Sequence, residues 1–140
     1  MSLNINRKKR TEQKKKSLNS QNNDLRFSFI AANAAEEKKG ENILLLDVSR
    51  LTVVSSCFLI ITAKSQPQIQ AIASNIEEEL SKLNYKLISK EGFVDSNWVV
   101  LDFGDLVVHI MTEKERNYYK LERFWSNART IDQKQWKKAS

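Results

Sequence analysis

The sequence predicts an α/β fold with a mixed five-stranded sheet and about three helices, and three patterns indicate it. Two apolar runs flank Gly104 and Asp105, a dipeptide that favours a two-residue hairpin turn because glycine tolerates a positive φ. The continuously apolar run 57–63 is typical of a strand buried on both faces. Apolar residues then recur at helical spacing over residues 69–83, so strands and helices alternate along the chain.

Helix and strand signals alternate through the first half of the domain. Asp24 belongs to the residue types that cap helix N-termini, and Gly40 is the residue type that most often follows a helix. Ser65 and Gln68 match a capping box, with Pro67 in the first turn of a second helix. In chain order, the expected elements are a helix over residues 24–39, a strand over 43–48, a strand over 57–63 and a helix from 65 to about 83.

The second half is expected to contain three strands and a final helix. A strand over 85–90, with the second helix and the strand over 57–63, forms an expected parallel crossover unit, and the hairpin adds antiparallel pairs. Thr112 and Glu115 match another capping box, which predicts a helix that ends near residue 125. The residues expected to face inward from this helix are Tyr118, Leu121 and Trp125.

The register of the hairpin sorts its side chains into two faces, because opposed residues share a face. One face is wholly apolar and is expected to belong to the core. Its residues are Val99, Leu101, Phe103, Leu106, Val108 and Ile110. The residues of the other, mixed face are Trp98, Val100, Asp102, Val107, His109 and Met111. A mixed face of this kind suits a surface that is wet in the free protein and covered by a partner.

Charge is concentrated at the N-terminus. Residues 1–22 contain seven basic groups and one acidic group, so their net charge of +6 equals that of the whole chain. This segment has few apolar residues, and we expect a disordered basic tail that is either a solubilising extension or an electrostatic contact to phosphate. We expect the folded domain over residues 23–126. Residues 127–140 are expected to be a polar tail with a weak helix around Trp136.

Composition excludes several classes of protein. No run approaches the roughly 20 apolar residues that span a bilayer, so no membrane partner is expected. The single cysteine, Cys57, cannot form an internal disulfide and is expected to be a buried, inert thiol, which fits a reducing cytoplasmic compartment. The chain has no CxxC or HExxH spacing, so we expect neither a zinc site nor a cofactor.

The hairpin segment also matches a family pattern. Glu91-Gly92 is followed by W-x-x-x-D-x-G-D-x-V-V-H from Trp98 to His109, and then by Y-x-L-E-x-x-W ending at Trp125. Together with the stretch 46–73, this pattern resembles the ribosomal silencing factor family, also called Iojap, over roughly residues 25–126. Two positions depart from the family, whose members often have aspartate in place of Ser56 and glycine at or beside the position of Lys64. These departures concern local turn geometry.

The resemblance implies an α/β arrangement of nucleotidyltransferase-like topology without the catalytic site. It also implies a protein that docks on the large ribosomal subunit, on the ribosomal protein that borders the small subunit, and sterically blocks subunit joining, so that translation is repressed. The partners that we expect are that ribosomal protein, ribosomal RNA through the basic tail, and a second copy of the chain when the protein is free. The localisation expected is cytoplasmic.

The expected partner-binding residues are Trp98, Val100, Asp102, Phe103, Asp105, His109 and Met111. Trp98 and Phe103 are the expected anchors because aromatic side chains dominate binding energies at interfaces, with Val100 and Met111 filling the space around them. The expected role of Asp102, Asp105 and His109 is to set orientation through charge-assisted hydrogen bonds to basic or hydroxyl groups of the partner. The alternatives are a core position for Trp98 and turn chemistry for the two aspartates.

Two other functions are weighed against this interpretation. Asp102, Asp105 and His109 are the one plausible catalytic cluster, but a chain of three glycines without a Gly-rich loop has no cradle for phosphate, so we do not expect an enzyme. The second is an RNA-binding or subunit-assembly module that uses the basic tail. A sheet that stacks bases needs exposed aromatics with Lys and Arg beside them, and the mixed face has one tryptophan and no basic residue.

Overall fold

The structure, a computed structural model, describes residues 21–138. The predicted basic tail therefore lies outside the described residues, apart from two positions in the first helix. The helices are α1 Gln21–Glu37, α2 Gln66–Ser81, α3 Glu113–Tyr119, α4 Leu121–Phe124 and α5 Gln133–Trp136. The strands are β1 Glu41–Asp47, β2 Cys57–Ala63, β3 Ser89–Phe93, β4 Trp98–Asp102, β5 Leu106–Thr112 and β6 Arg129–Ile131.

The six strands form one mixed sheet in the order β3-β4-β5-β2-β1-β6. The α/β class is therefore confirmed, with six strands in place of five. Only β2 and β5 pair in parallel, and every other neighbouring pair is antiparallel. The register predicted for the hairpin is confirmed, with Trp98 opposite Met111 and Val100 opposite His109.

The crossover unit was predicted to join β2 to the strand over residues 85–90, and this pairing was wrong. The strand predicted over 85–90 begins only at Ser89, and it pairs with β4 at the edge of the sheet. The parallel neighbour of β2 is β5, so the hairpin β4–β5 lies between β2 and β3. Tyr85 and Leu87 of this stretch instead pack against the core, where the Tyr85 ring stacks on Phe27 with 4.2 Å between centroids.

The main core lies between one face of the sheet and helices α1 and α2. The predicted apolar face of the hairpin is buried there, with exposed fractions of 5% or less for all six residues. The amide of Asn75 on α2 donates to the Ala34 carbonyl of α1 at 2.8 Å, which fixes the two helices against each other. Gly40 follows α1 at a point where the backbone passes close to Ile61 of β2. A Cβ at this position would lie only 2.8 Å from Cγ2 of Ile61, so a larger residue would not fit without a shift.

Several predicted helix ends differ from those in the structure. Asp24 lies inside α1 and does not begin it, because the helix starts at Gln21. Ser65 caps α2 as predicted, with its hydroxyl accepting from the Gln68 N–H, whereas the Thr112 side chain makes no cap bond. The helix predicted to run to residue 125 breaks at Lys120, which has a φ of 48° in the left-handed region.

The C-terminal segment belongs to the folded domain, which corrects the prediction of a polar tail from residue 127. Strand β6 extends the sheet beside β1, and α5 packs against α1. Trp136 is only 3% exposed and lies in the main core, and its carbonyl accepts from the Asn33 amide at 2.7 Å. Long-range pairing of this kind has no local signal in the sequence.

We predict that Trp136→Ala lowers the free energy of unfolding by about 3–5 kcal/mol, because it removes a fully packed indole from the core. Urea denaturation followed by circular dichroism measures the change. Leu83→Ala is the matched control, since Leu83 is 43% exposed and its truncation should cost no more than about 0.5 kcal/mol. Equal stability of the two variants would show that the C-terminal segment does not complete the core.

Candidate functional site

The second face of the sheet is only half covered. Residues 121–128 pass over its β1–β2 side, where Leu121, Trp125 and Ala128 pack on a small apolar cluster. The Trp125 ring meets Phe58 edge-on, with 4.7 Å between centroids. The β3–β4 side of the same face has no helix over it among the elements described, and the mixed face of the hairpin opens there.

Four aromatic side chains form an aromatic row along this open side. Phe93 of β3 and Trp98 of β4 are directly paired, with ring centroids 5.5 Å apart. The Trp98 ring lies 5.0 Å from Tyr119, which lies 5.0 Å from Tyr118. Trp98 is half-buried between these neighbours, while Phe93 is 41% exposed and Tyr118 is 78% exposed. A contiguous, exposed aromatic row is typical of a protein interaction site.

Trp98 and His109 form a hydrogen-bonded pair on this face. The indole Nε1–H donates to Nδ1 of His109 at 3.1 Å, so the neutral imidazole carries its proton on Nε2. Burial lowers the pKa of His109 from 6.5 to about 4, because the charged form loses its hydration. His109 is therefore neutral at physiological pH, and it accepts a hydrogen bond from Trp98 in this form.

Beside the aromatic row lies a groove of about 440 Å³. The residues that line the groove are Ser89, Glu91, Phe93, Trp98, Val100, Asp102 and His109. Its walls combine two aromatic rings with two carboxylates, those of Glu91 and Asp102, and no Lys or Arg side chain contributes to the lining. This arrangement suits a cationic or hydrogen-bond-donating group of a partner, which would lie against a ring and beside a carboxylate.

Both aspartates of the hairpin take part in hydrogen bonds at the turn, Asp102 through its side chain and Asp105 through its backbone carbonyl. Asp102 Oδ1 accepts from the Gly104 N–H at 2.8 Å, and Gly104 has a φ of 94° that suits glycine. The Asp105 carbonyl accepts from the N–H groups of Ser56 and Cys57, both at 2.9 Å, which joins the turn to the start of β2. Asp102 also lines the groove, whereas Asp105 does not.

Two of the predicted binding residues are in the core. Phe103, one of the two expected anchors, is 5% exposed and packs against Tyr85 at 5.7 Å, because the hairpin register places it on the apolar face. Met111 is fully buried in the small cluster under residues 121–128. Neither side chain offers surface to a partner in this structure. Trp98, Val100, Asp102 and His109 do lie together in the groove.

The structure adds residues that the sequence reasoning missed. Ser89, Glu91 and Phe93 reach the groove because β3 is displaced towards the C-terminus from the predicted strand. Tyr118 was expected to face inward and instead lies exposed next to Tyr119. A signal for β3 was available, since Asp95-Ser96-Asn97 is rich in turn-forming residues and precedes Trp98 by the length of a hairpin loop.

The loop between β3 and β4 has an unusual backbone. Val94, Asp95 and Ser96 have φ values of 52°, 54° and 67°, and this left-handed region is unfavourable for a β-branched residue such as valine. The Gln66 amide holds the loop by donating to the Asp95 carbonyl at 2.7 Å and to the Asn97 side chain at 3.1 Å. The loop therefore joins the strands that present Phe93 and Trp98 in a defined conformation.

Arg116 holds the helical part of the site against the sheet. Its guanidinium, 9% exposed, donates to Thr62 Oγ1 at 2.9 Å and to the Asn42 carbonyl. Its Nε lies 3.4 Å from Glu122 Oε1, so the same side chain connects α3 to α4 across the break at Lys120. Burial lowers the pKa of Arg116, and the Glu122 carboxylate opposes that shift. These bonds keep Tyr119 in place beside Trp98.

Comparison with protein families gives one match that spans most of the chain. The family described as "Ribosomal silencing factor during starvation" matches residues 7–140. A Bacillus subtilis protein named ribosomal silencing factor RsfS is 40% identical over 103 residues, which cover 74% of this chain and 87% of that protein. The chloroplastic protein Iojap of Zea mays is 37% identical over 108 residues, which cover 77% of this chain and 47% of that protein.

Solved structures show the same fold. A crystal structure of a Chromobacterium violaceum protein superposes with a TM-score of 0.69 at 34% identity, covering 71% of this chain and 83% of that one. A crystal structure from Bacillus halodurans superposes with a TM-score of 0.64 at 33% identity, covering 74% and 93%. Over the residues described, no helix is long and apolar enough to cross a membrane, and no three metal-ligating side chains converge.

We predict that the stability of the domain falls between pH 6.5 and about 4 through His109. The unfolded chain protonates this residue near pH 6.5, whereas the folded chain excludes the proton until about pH 4, so stability that is present above pH 6.5 is lost as the pH falls. His109 is the only histidine, so the difference between wild type and His109→Gln isolates it.

Urea unfolding at a series of pH values measures the free energy of unfolding of both proteins. The difference between them should change with pH by no more than about 1.4 kcal/mol per pH unit, the limit for one proton. Carboxylates titrate in both proteins and cancel in the comparison. Parallel stability curves for the two proteins from pH 7 to pH 4 would contradict the assignment of a desolvated, neutral imidazole.

Proposed function

We propose a ribosome-binding role for this chain, because it belongs to the ribosomal silencing factor family. In its specific form, the proposal is that the chain binds the large ribosomal subunit through the ribosomal protein at the subunit interface. The bound domain then sterically blocks joining of the small subunit and represses translation. Such a mechanism requires affinity and bulk, and no chemical step.

The open half of the second sheet face, with its aromatic row and groove, is the observation that supports this proposal. Trp98 is central to it, because the ring contacts Phe93, Tyr119 and His109 and still lines the groove. The indole N–H is already bonded to His109, so Trp98 would contribute the faces and edges of its ring to a partner. Aromatic anchors surrounded by polar groups are typical of the residues that dominate binding energy.

Charge at the groove supports a partner that presents basic or hydroxyl groups. Glu91 and Asp102 place two carboxylates beside the two rings, and His109 offers Nε2–H as a donor. A lysine or arginine of the ribosomal protein would meet both a carboxylate and an aromatic face there. Phe103 and Met111 would support the site from the core, and Asp105 would support it through the turn.

The same contacts support a binding role over catalysis. His109 has a depressed pKa and accepts a bond from Trp98, which makes Nδ1 unavailable as a general base. Asp102 is engaged by the Gly104 N–H in the turn. The family is named as a silencing factor, and we propose that these residues recognise a partner without transforming it.

Four other predictions remain proposals. RNA contact or subunit assembly through the basic tail concerns residues outside those described. Homodimer formation by the free protein and a cytoplasmic location also remain predictions. So does the division into tails and domain, except that residues 129–136 belong to the folded part.

We predict that Trp98→Ala weakens binding to large ribosomal subunits by about 30- to 1,000-fold, the loss of about 2–4 kcal/mol that an interface anchor supplies. Comigration with free large subunits on sucrose gradients and pull-down by the isolated interface protein both measure it. Leu83→Ala is the control. Circular dichroism melting reports the fold, and wild-type binding by a folded Trp98→Ala variant would refute this interface.

We predict that Glu91→Lys reduces affinity for the large subunit at least about tenfold, because it reverses a charge at the rim of the groove. Glu91 is exposed, so the fold should be unaffected. Glu78→Lys, on the exposed side of α2, is the matched control and should bind normally. Tighter binding by Glu91→Lys would show that the partner presents acidic groups to the groove.

A further inference from the structure

The two short helices α3 and α4 meet at a bend that exposes aromatic rings. We name residues 113–125 the elbow. Tyr118 on α3 is 78% exposed and Phe124 on α4 is 77% exposed, the highest values among the large apolar side chains described. Exposed rings of this size make little contribution to folding stability. Their exposure on both arms of one bend therefore favours a role in contact with another molecule.

Exposed basic residues lie close to each ring along the chain. Lys114 precedes Tyr118 by four residues on α3, and this spacing brings two side chains together on one side of a helix. Lys120 and Arg123 precede Phe124 by four residues and by one residue, and Lys120 lies at the break between the helices. All three basic residues are exposed, and no ion pair within residues 25–138 involves any of them.

The elbow is held rigidly enough to keep this arrangement. The left-handed conformation of Lys120 turns the chain, and its N–H donates to the Arg116 carbonyl at 3.0 Å. On the opposite side, the buried guanidinium of Arg116 binds Glu122 and the sheet. Two exposed rings and three exposed basic residues thus lie on a bend that Arg116 anchors to the sheet.

We propose that the elbow is a second binding site, for single-stranded or loop RNA. Exposed aromatic rings stack on unpaired bases, and adjacent Lys and Arg side chains neutralise the phosphates between them. The groove, in contrast, has carboxylates at its rim and would repel a nucleic acid. Charge complementarity therefore assigns different classes of partner to two neighbouring surfaces.

The two surfaces are continuous. Tyr118 of the elbow contacts Tyr119, which contacts Trp98 in the groove. The ring centroids are 5.0 Å apart in both pairs. Ribosomal RNA that lies next to a protein bound in the groove could therefore reach the elbow. This placement rests on the proposed function, whereas RNA binding by the elbow itself does not.

Fluorescence anisotropy with a labelled 12-nucleotide single-stranded RNA tests the proposal on the full chain. Every variant keeps the basic tail, so any contribution of the tail to RNA binding cancels in the comparison. Tyr118→Ala with Phe124→Ala should reduce affinity by at least about tenfold with the salt dependence unchanged, because stacking is lost and charge is kept. Lys120→Gln with Arg123→Gln should reduce affinity and also flatten the slope of log affinity against log salt by about 1.4.

The matched control is Lys38→Gln with Lys86→Gln, two exposed cations far from the elbow in sequence, which should change affinity little. Wild-type RNA affinity in both elbow variants, or a loss equal to that of the control, would overturn the proposal. Loss of binding to the isolated ribosomal protein with unchanged RNA binding would also overturn it, because the elbow would then belong to the protein interface. Failure of Trp98→Ala to affect subunit binding would leave this RNA measurement unaffected, so the two proposals fail separately.

Discussion

The parallel pairing of β2 with β5 is the constraint on which the rest of the structure depends. Seven consecutive residues pair across it, from Cys57 with Leu106 to Ala63 with Thr112. Because side chains alternate along a strand, this single register decides which residues of both segments enter the main core and which face the other side. If β5 slipped by one residue along β2, His109 would turn into the core, and Val108 and Ile110 would turn to the other face.

This register also explains why the binding surfaces lie where they do. Helices α1 and α2 cover the central strands on one face of the sheet, while residues 121–128 cover only the β1–β2 side of the other. The uncovered part falls on β3 and β4, the strands farthest from that covering segment in the sheet order. Charged groups such as those of Glu91 and Asp102, which would be costly in a core, are tolerated there because water or a partner can solvate them.

Local signals predicted the hairpin well and its surroundings less well. The two-residue turn determines the opposition of Trp98 and Met111, so their shared face follows from sequence alone. The covering of Met111 does not, because it depends on a distant segment that crosses the sheet after an unpredicted break at Lys120. Strand β6 and the burial of Trp136 likewise depend on pairing and packing between remote parts of the chain. The burial of Phe103, in contrast, could be predicted, since the hairpin register placed it on the core face. Only its size suggested an anchor.

The left-handed loop between β3 and β4 has a consequence for the entropy of binding. Three successive residues in an unfavourable conformation, Val94 to Ser96, persist only because surrounding bonds such as those from Gln66 specify it. A loop held in this way loses little conformational freedom when a partner arrives, since its ordering has already occurred during folding. Phe93 and Trp98 are thus presented in advance, and more of their contact energy can become affinity. Replacing the strained residues with glycine would relax the backbone, but it would return to the loop the disorder that binding must then remove.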